Sequence, residues 1–172
     1  MDNRERLEKL GQIVSQKKIL ILTHNNPDPD AIAAGWALRY LIRRKFKAHA
    51  ELAYGGLITR AENRAMVRLL NIEIKPLDSL HLRDFDVYGL VDTQPRVGNN
   101  SLPSHLKASI VIDHHALRKS SQEAQLADIR LSYGSSATIL TEYLLEAGLT
   151  IHKTMATALY LGLKTDTQVL GI

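Results

Sequence analysis

The stretch from Ile19 to Asp30 runs from apolar residues into side chains that can do chemistry: His24, Asp28 and Asp30. Imidazoles and carboxylates bind divalent metals and move protons. The sequence has no cysteine, which excludes thiolate nucleophiles and thiolate-bound metals. Taken alone, Pro27-Asp28-Pro29-Asp30 could equally be an ordinary turn and N-cap sequence, and His24 an ordinary histidine at a strand end.

Two later apolar runs end in the same kind of chemistry. Residues 87–91 precede Asp92, and residues 109–112 precede Asp113-His114-His115. Asp92 alone could end a strand in an Asx turn, and Asp166 carries no information by itself. The occurrence of all these residues in one sequence indicates a functional site, because a separate structural explanation would otherwise be needed for each residue.

The elements that must position these residues follow from hydrophobic periodicity. The predicted strands are 19–22, 48–54, 72–74, 87–91 and 109–112, and the predicted helices are 4–16, 31–44, 59–70, 134–146 and 153–163. Thr59-x-x-Glu62 is the capping-box pattern that opens the third helix. Alternating strands and helices predict an α/β, Rossmann-like, three-layer domain with a parallel sheet. The candidate residues would then lie at the carboxyl edge of the strands, where such sheets bind ligands.

Composition limits the class of protein. A chain of 172 residues with 45% hydrophobic residues fits one folded domain. It shows no apolar signal core at its start and no run of 18 apolar residues, so the sequence predicts a cytoplasmic protein that does not bind membranes. The net charge of +4 fits an anionic substrate but also many other proteins. The basic cluster Arg39, Arg43, Arg44, Lys45 and Lys47 is interpreted as a solvated helix end.

Six residues form the candidate metal site: His24, Asp28, Asp30, Asp92, His114 and Asp166. Four converging carboxylates would repel one another, and two divalent cations would balance their charge. Oxygen-rich ligation with some imidazole favours Mn²⁺, with Mg²⁺ as the other choice. Two such ions can activate a hydroxide and stabilise an in-line phosphoryl displacement.

These motifs resemble those of the DHH superfamily of phosphoesterases, whose name matches Asp113-His114-His115. The ordered set is His24-x-x-x-Asp28-x-Asp30, then Asp92, then Asp113-His114-His115, then Asp166. Thr23-His24-Asn25-Asn26-Pro27-Asp28 and Val91-Asp92-Thr93 resemble the nanoRNase branch, which degrades very short oligoribonucleotides and 3′-phosphoadenosine 5′-phosphate.

The resemblance implies a role for each residue. His24 and Asp28 would hold one metal, Asp30, His114 and Asp166 would hold the other, and Asp92 would bridge them. His115 would contact the scissile phosphate, and Asp113 would orient a histidine. Ser135 and Ser136 could bind phosphate, although N-capping of a helix is the more ordinary role.

The resemblance also implies a hydrolase of phosphoric esters that acts on short oligoribonucleotides or nucleotides. Proteins of this branch usually continue into a second domain, DHHA1, that grips the substrate, whereas this sequence stops soon after Asp166. We therefore expect residues 1–172 to be the catalytic DHH domain of a longer protein, and the alternative is a minimal member of the family with another arrangement for the substrate. An inorganic pyrophosphatase, a cyclic-dinucleotide phosphodiesterase and a non-catalytic nucleotide-binding module remain alternatives, and both a monomer and a homodimer are compatible with the sequence.

Overall fold

The strands of the protein form one parallel sheet. A computed structural model describes residues 1–167. The strands are β1 (Lys18–Leu22), β2 (His49–Tyr54), β3 (Lys75–Pro76), β4 (Val87–Val91), β5 (Ala108–Asp113) and β6 (Leu126–Ile129). They pair in parallel in the order β3-β2-β1-β4-β5-β6. The carboxyl ends of β1, β4 and β5 therefore lie side by side at one edge of the sheet.

The helices cover one face of this sheet. They are α1 (Asn3–Val14), α2 (Pro29–Lys45), α3 (Ala61–Leu69), α4 (Ser136–Glu146) and α5 (Lys153–Asp166). Each contributes apolar side chains to one large buried cluster. Within residues 1–167, none of these helices combines the length and the apolar character needed to cross a membrane.

The apolar residues of the strands alternate between two layers, as the pleat requires. Ile19 and Ile21 pack in the large cluster with the helices, whereas Leu20 and Leu22 pack in a smaller cluster on the other face. Loops and short 3₁₀ helices cover this second face, mainly with side chains between residues 77 and 85. The predicted three-layer α/β fold with a parallel sheet is confirmed.

Two local predictions around α3 are wrong. The helix begins at Ala61 without a side-chain cap, so Thr59 lies too far upstream to form the capping box. The strand predicted at 72–74 is replaced by pairing at Lys75–Pro76. The reason is that Asn71 takes a φ of 53° and the Ile72 N–H donates to the Val67 carbonyl, a hydrogen bond that closes the end of the helix.

The sequence interpretation also missed β6 and misplaced Arg39. Strand β6 has four residues and carries Asp128, a buried carboxylate whose charge the arginines around it balance. Arg39 is only 4% exposed, so the prediction of a solvated position is wrong for this residue. Its guanidinium donates to the carbonyls of Ala50 and Glu73 and pairs with the Glu73 carboxylate.

Candidate metal centre

The turn between β1 and α2 places the first two candidate ligands. Asp28 is the N-cap of α2: its Oδ1 accepts a hydrogen bond from the Ala31 N–H at 3.0 Å. Pro29 follows at the first helical position, where a missing N–H costs nothing. The second carboxylate oxygen of Asp28 then lies 3.6 Å from Nε2 of His24. Helix capping and ligand placement thus use the same side chain.

Asp30 is fully buried at the start of α2. Its two oxygens accept hydrogen bonds from the N–H groups of Ser136 and Ala137, at 2.7 and 2.8 Å, which are the first free donors of α4. Helix α5 passes close by because Gly162 has no Cβ: a methyl group there would come within 3.0 Å of the Asp30 Cα. This close approach brings the end of α5, with Asp166, to the site.

Asp92 stands between the two histidines. One of its oxygens lies 3.6 Å from Nε2 of His24, and the other lies 3.4 Å from Nε2 of His114. The residue takes a φ of 59°, an uncommon conformation for a residue other than glycine and one that clusters at functional sites. Its Oδ1 also accepts a hydrogen bond from the Ser136 hydroxyl at 2.9 Å. This is the position that a bridging carboxylate would need.

His114 presents a buried nitrogen without a hydrogen-bond partner. Its Nδ1 lies 3.3 Å from the Tyr133 carbonyl, which directs Nε2 toward the carboxylates. Nε2 lies 3.2 Å from Oδ2 of Asp166 and 4.0 Å from Oδ2 of Asp30, yet among the described residues it makes no hydrogen bond of acceptable geometry. A buried nitrogen that faces three carboxylates without a hydrogen bond fits a metal ligand.

The electrostatics of these residues show a deficit of positive charge. Burial alone would lower the pKa of His24, but the carboxylates of Asp28 and Asp92 close to its ring raise it to about 9. Burial would likewise lower the pKa of His114, and Asp166 and Asp92 raise it to about 10. Burial and the charge of Asp92 raise the pKa of Asp30 well above its usual range. The carboxylates thus hold protons on the site when no metal is bound.

The structure brings all six candidate ligands together. Their nitrogen and oxygen atoms form two sets, each with its members within 4.8 Å of one another: His24, Asp28 and Asp92, and Asp30, His114 and Asp166. With the unpaired Nε2 of His114, this donor set fits divalent metal ions. A third set, Asp92, His114 and His115, shares two of its members with them. The placement agrees with the roles implied by the resemblance, while the assignment of each ligand to a metal stays a prediction.

His115 and Asp113 lie beside this cluster in a different arrangement. The Nδ1 atom of His115 lies 2.8 Å from Oδ1 of Asp113, and the His115 side chain is 60% exposed. Asp113 is buried, and its Oδ2 accepts a hydrogen bond from the Gln94 amide at 2.7 Å. Asp113 is therefore placed to orient His115, with Nε2 of this histidine left for another partner.

Gln94 and Ser136 are two residues whose contacts the sequence analysis missed. Gln94 is buried, and its amide also donates to the Ala116 carbonyl and accepts from Arg118 N–H and Ser121 Oγ. The only signal in the sequence was the position of Gln94, two residues after the candidate ligand Asp92. Neither its residue type nor its spacing predicted its hydrogen-bond partners. Ser135 is the N-cap of α4, as its ordinary interpretation predicts, while Ser136 contacts Asp30 and Asp92.

Comparison with known proteins gives relatives of this chain. It is 38% identical over 98% of its length to an uncharacterized protein of Methanocaldococcus jannaschii, and covers 34% of that protein. It is 26% identical over 89% of its length to a probable manganese-dependent inorganic pyrophosphatase of Streptococcus pyogenes, covering 49% of it. An exopolyphosphatase-related protein from Bacteroides fragilis has a similar fold, with a TM-score of 0.74 at 16% identity, over 97% of this chain and 51% of the other.

The chain thus spans about a third to a half of the length of these relatives. None of these relatives is a nanoRNase by name, so they do not confirm the predicted nanoRNase branch. The presence of a DHHA1 domain also stays a prediction. Residues 18–163 match the DHH family, N-terminal domain. The chain belongs to the DHH family, and five of the six candidate metal ligands, all but Asp166, lie within the matched residues.

Proposed function

We propose that this chain is the metal-binding domain of a hydrolase that cleaves phosphoric esters or anhydrides. The observation that carries the proposal is the position of Asp92, which turns one oxygen to His24 and the other to His114. One carboxylate between two ligand sets is the arrangement of a two-metal centre. Two divalent ions in these sets, when bound, would activate a water molecule and stabilise the charge of the reacting phosphate.

The residues of the cluster would have separate roles in metal binding. His24, Asp28 and Asp92 would hold one ion, and Asp30, His114 and Asp166 the other, with Asp92 shared. The N–H groups at the start of α4 keep Asp30 in place, which leaves its carboxylate little freedom to rotate. This fixed geometry is what a catalytic metal site requires of the groups behind its ligands.

His115 would act on the substrate rather than on the metals. Its Nδ1 is occupied by Asp113, so a protonated imidazole would present Nε2–H to a phosphate oxygen. Asp113 would fix the direction of the ring. A charged donor aimed at a phosphate oxygen stabilises the negative charge that develops during phosphoryl transfer.

Mn²⁺ is the proposed metal, with Mg²⁺ as the alternative. Two histidines among four carboxylates suit Mn²⁺ better than the harder Mg²⁺. The Streptococcus pyogenes relative is manganese-dependent by name, which supports the same choice.

For the substrate, we propose short oligoribonucleotides or 3′-phosphoadenosine 5′-phosphate, supported by the motifs around His24 and Asp92. Inorganic pyrophosphate is the second candidate, and the specific observation in its favour is the similarity to the Streptococcus pyogenes pyrophosphatase over 89% of this chain. Both candidates need the same metal site, so kinetic preference has to separate them.

The test is hydrolysis with Mn²⁺ of a panel: di- to pentaribonucleotides, 3′-phosphoadenosine 5′-phosphate, cyclic dinucleotides and pyrophosphate. Cleavage of at least one compound, lost in Asp92→Asn and retained in the exposed control Asp78→Asn, is the expected result. No cleavage of any phosphate ester or anhydride would remove the enzyme proposal. Tight nucleotide binding that does not change in Asp92→Asn would instead support a non-catalytic binding module.

A further inference from the structure

A pocket of about 330 Å³ opens next to the metal cluster on the side of His115. Its wall includes Asp92, Thr93, Asn99, Asp113, His115 and Arg118. The volume lies at the lower end of the range for small-ligand sites, which suits a small polar group better than a whole nucleotide. A group bound here would lie directly beside the reacting phosphate.

Arg118 is the permanent cation of this pocket. Within residues 1–167, Arg96 on the neighbouring loop forms an ion pair with Glu123 at 3.3 Å, whereas Arg118 forms none with a described carboxylate. An arginine without a carboxylate partner keeps its planar donors available for a bidentate contact with phosphate.

The backbone of Arg118 is held firmly although its side chain is exposed. Its N–H donates to Oε1 of Gln94 at 2.7 Å, and the Ser121 hydroxyl donates to the same oxygen at 2.7 Å. The Ser120 hydroxyl donates to the Pro95 carbonyl at 2.6 Å, which ties the loop down a second time. Since Gln94 also binds Asp113, the loop that carries Arg118 and the carboxylate that orients His115 share one anchor.

The remaining wall argues for a phosphate rather than a base. None of the described residues that line the pocket is Phe, Tyr or Trp, so it offers no platform for base stacking. Thr93 and Asn99 supply hydroxyl and amide groups instead, although these already bond each other at 2.5 Å.

We propose that this pocket binds a second phosphate group of the substrate, next to the one that is cleaved, and that Arg118 is the residue that recognises it. The inference rests on the proposed function, because it assumes that the cleaved phosphate lies at the metal cluster. It applies to pyrophosphate, where the second phosphate is directly bonded, and to 3′-phosphoadenosine 5′-phosphate, where a ribose separates the two.

The experiment compares substrates with one and two phosphate groups in the protein and in Arg118→Ala. Loss of a charged hydrogen-bonding contact should raise KM for pyrophosphate or 3′-phosphoadenosine 5′-phosphate by about tenfold to a hundredfold. KM for p-nitrophenyl phosphate, which has one phosphate, should stay within about twofold. Arg118→Lys should restore only part of the loss, because an ammonium cannot make the bidentate contact.

Lys119→Ala is the matched control, since Lys119 is an exposed cation next in sequence but outside the pocket wall. An equal rise of KM in Lys119→Ala, or no rise in Arg118→Ala, would overturn the subsite. Whichever of the two substrates shows the larger KM ratio identifies the phosphate spacing that the pocket accepts.

A binding measurement separates this inference from the proposed function. Calorimetric titration with imidodiphosphate, a diphosphate that resists hydrolysis, in the presence of Mn²⁺ should give a Kd at least tenfold weaker in Arg118→Ala. If no substrate is hydrolysed but this difference appears, the proposed function fails and the subsite stands. If substrates are hydrolysed and the Kd values are equal, the subsite fails and the function stands.

Discussion

Two regions of this protein bury aspartates, and they balance the charge in opposite ways. Asp128 on β6 is 2% exposed, and Arg130 donates to both of its oxygens at 2.8–3.1 Å. The Arg6 Nε lies 3.1 Å from the same carboxylate, and the Tyr143 hydroxyl donates to it at 3.0 Å. This region supplies its own cations and joins α1, β6 and α4.

The metal cluster has the carboxylates without the arginines. Asp30 and Asp92 are as buried as Asp128, but their charged neighbours are other carboxylates and two histidines. The consequence is that titratable groups take up protons in place of permanent cations: the pKa values of His24, His114 and Asp30 are all raised. The comparison teaches that a buried carboxylate is structural where the fold provides a permanent cation, and marks a cation site where it does not.

The largest effect is expected from a substitution beside Asp128, where arginines balance the buried charge. Arg130→Met leaves Asp128 buried with too little positive charge, and the loss of one partner from a buried pair costs about 3–5 kcal/mol of unfolding free energy. Urea unfolding would measure it. Arg96→Met, which removes an exposed pair, should cost less than about 1 kcal/mol. The Mn²⁺-induced rise in Tm should survive in both variants; its loss in Arg130→Met would show that the two regions are coupled.

The second prediction removes a charge from the metal cluster. Without metal, Asp92→Asn should change the stability little, because it relieves repulsion among the carboxylates but also removes a negative charge that faces the protonated His24 and His114. With Mn²⁺ at about 100 times Kd, the protein should gain about 2.7 kcal/mol for each bound ion, and Asp92→Asn should lose most of this gain. Thermal unfolding with and without Mn²⁺ measures both effects. Equal Mn²⁺ shifts in the two proteins would show that the bridging role is misassigned.

The third prediction concerns the anchor between the cluster and the loop of Arg118. Gln94→Leu removes the partner of Oδ2 of Asp113, of the Arg118 N–H and of the Ser121 hydroxyl, which should cost about 1–3 kcal/mol. If His115 acts on the substrate, kcat/KM should also fall by about tenfold to a hundredfold, as for other residues that orient catalytic groups. Gln125→Leu, at an exposed position, is the control. A stability loss with unchanged kcat/KM would limit Gln94 to a structural role.

The fourth prediction is a pH dependence of metal binding. Because the pKa of His24 rises to about 9 and that of His114 to about 10 without metal, both are protonated at neutral pH, and Mn²⁺ must displace these protons. Affinity for Mn²⁺ should therefore increase with pH up to about 9, by up to ~1.4 kcal/mol per pH unit for each proton released.

The stability of the metal-free protein should change in the opposite direction. A histidine whose pKa is raised in the folded state stabilises it below the ordinary value of 6.5, and this contribution disappears as pH rises through 9 to 10. Calorimetric titration with Mn²⁺ in two buffers with different ionisation enthalpies would count the protons that metal binding releases. Metal binding without proton release would show that the histidines are neutral before the metal arrives.

Much of the fold was predictable because its signals are local. The apolar runs of β1, β4 and β5 and the helical spacing of α2, α4 and α5 each lie within one segment. Strand β6 and the burial of Arg39 were not predictable, because each depends on partners distant in sequence: Arg6 for Asp128, and Ala50 and Glu73 for Arg39.

The same division holds for the site. The sequence by itself determined which residue types are available as ligands, that they follow strands, and that Asp28 can cap a helix, since residue type and neighbours decide these properties. Only the tertiary structure decided that β1, β4 and β5 are adjacent, that Asp92 lies between two histidines, and that Gln94 joins Asp113 to Arg118. The physical reason is that strand order, backbone φ and buried hydrogen bonds depend on how distant segments pack together.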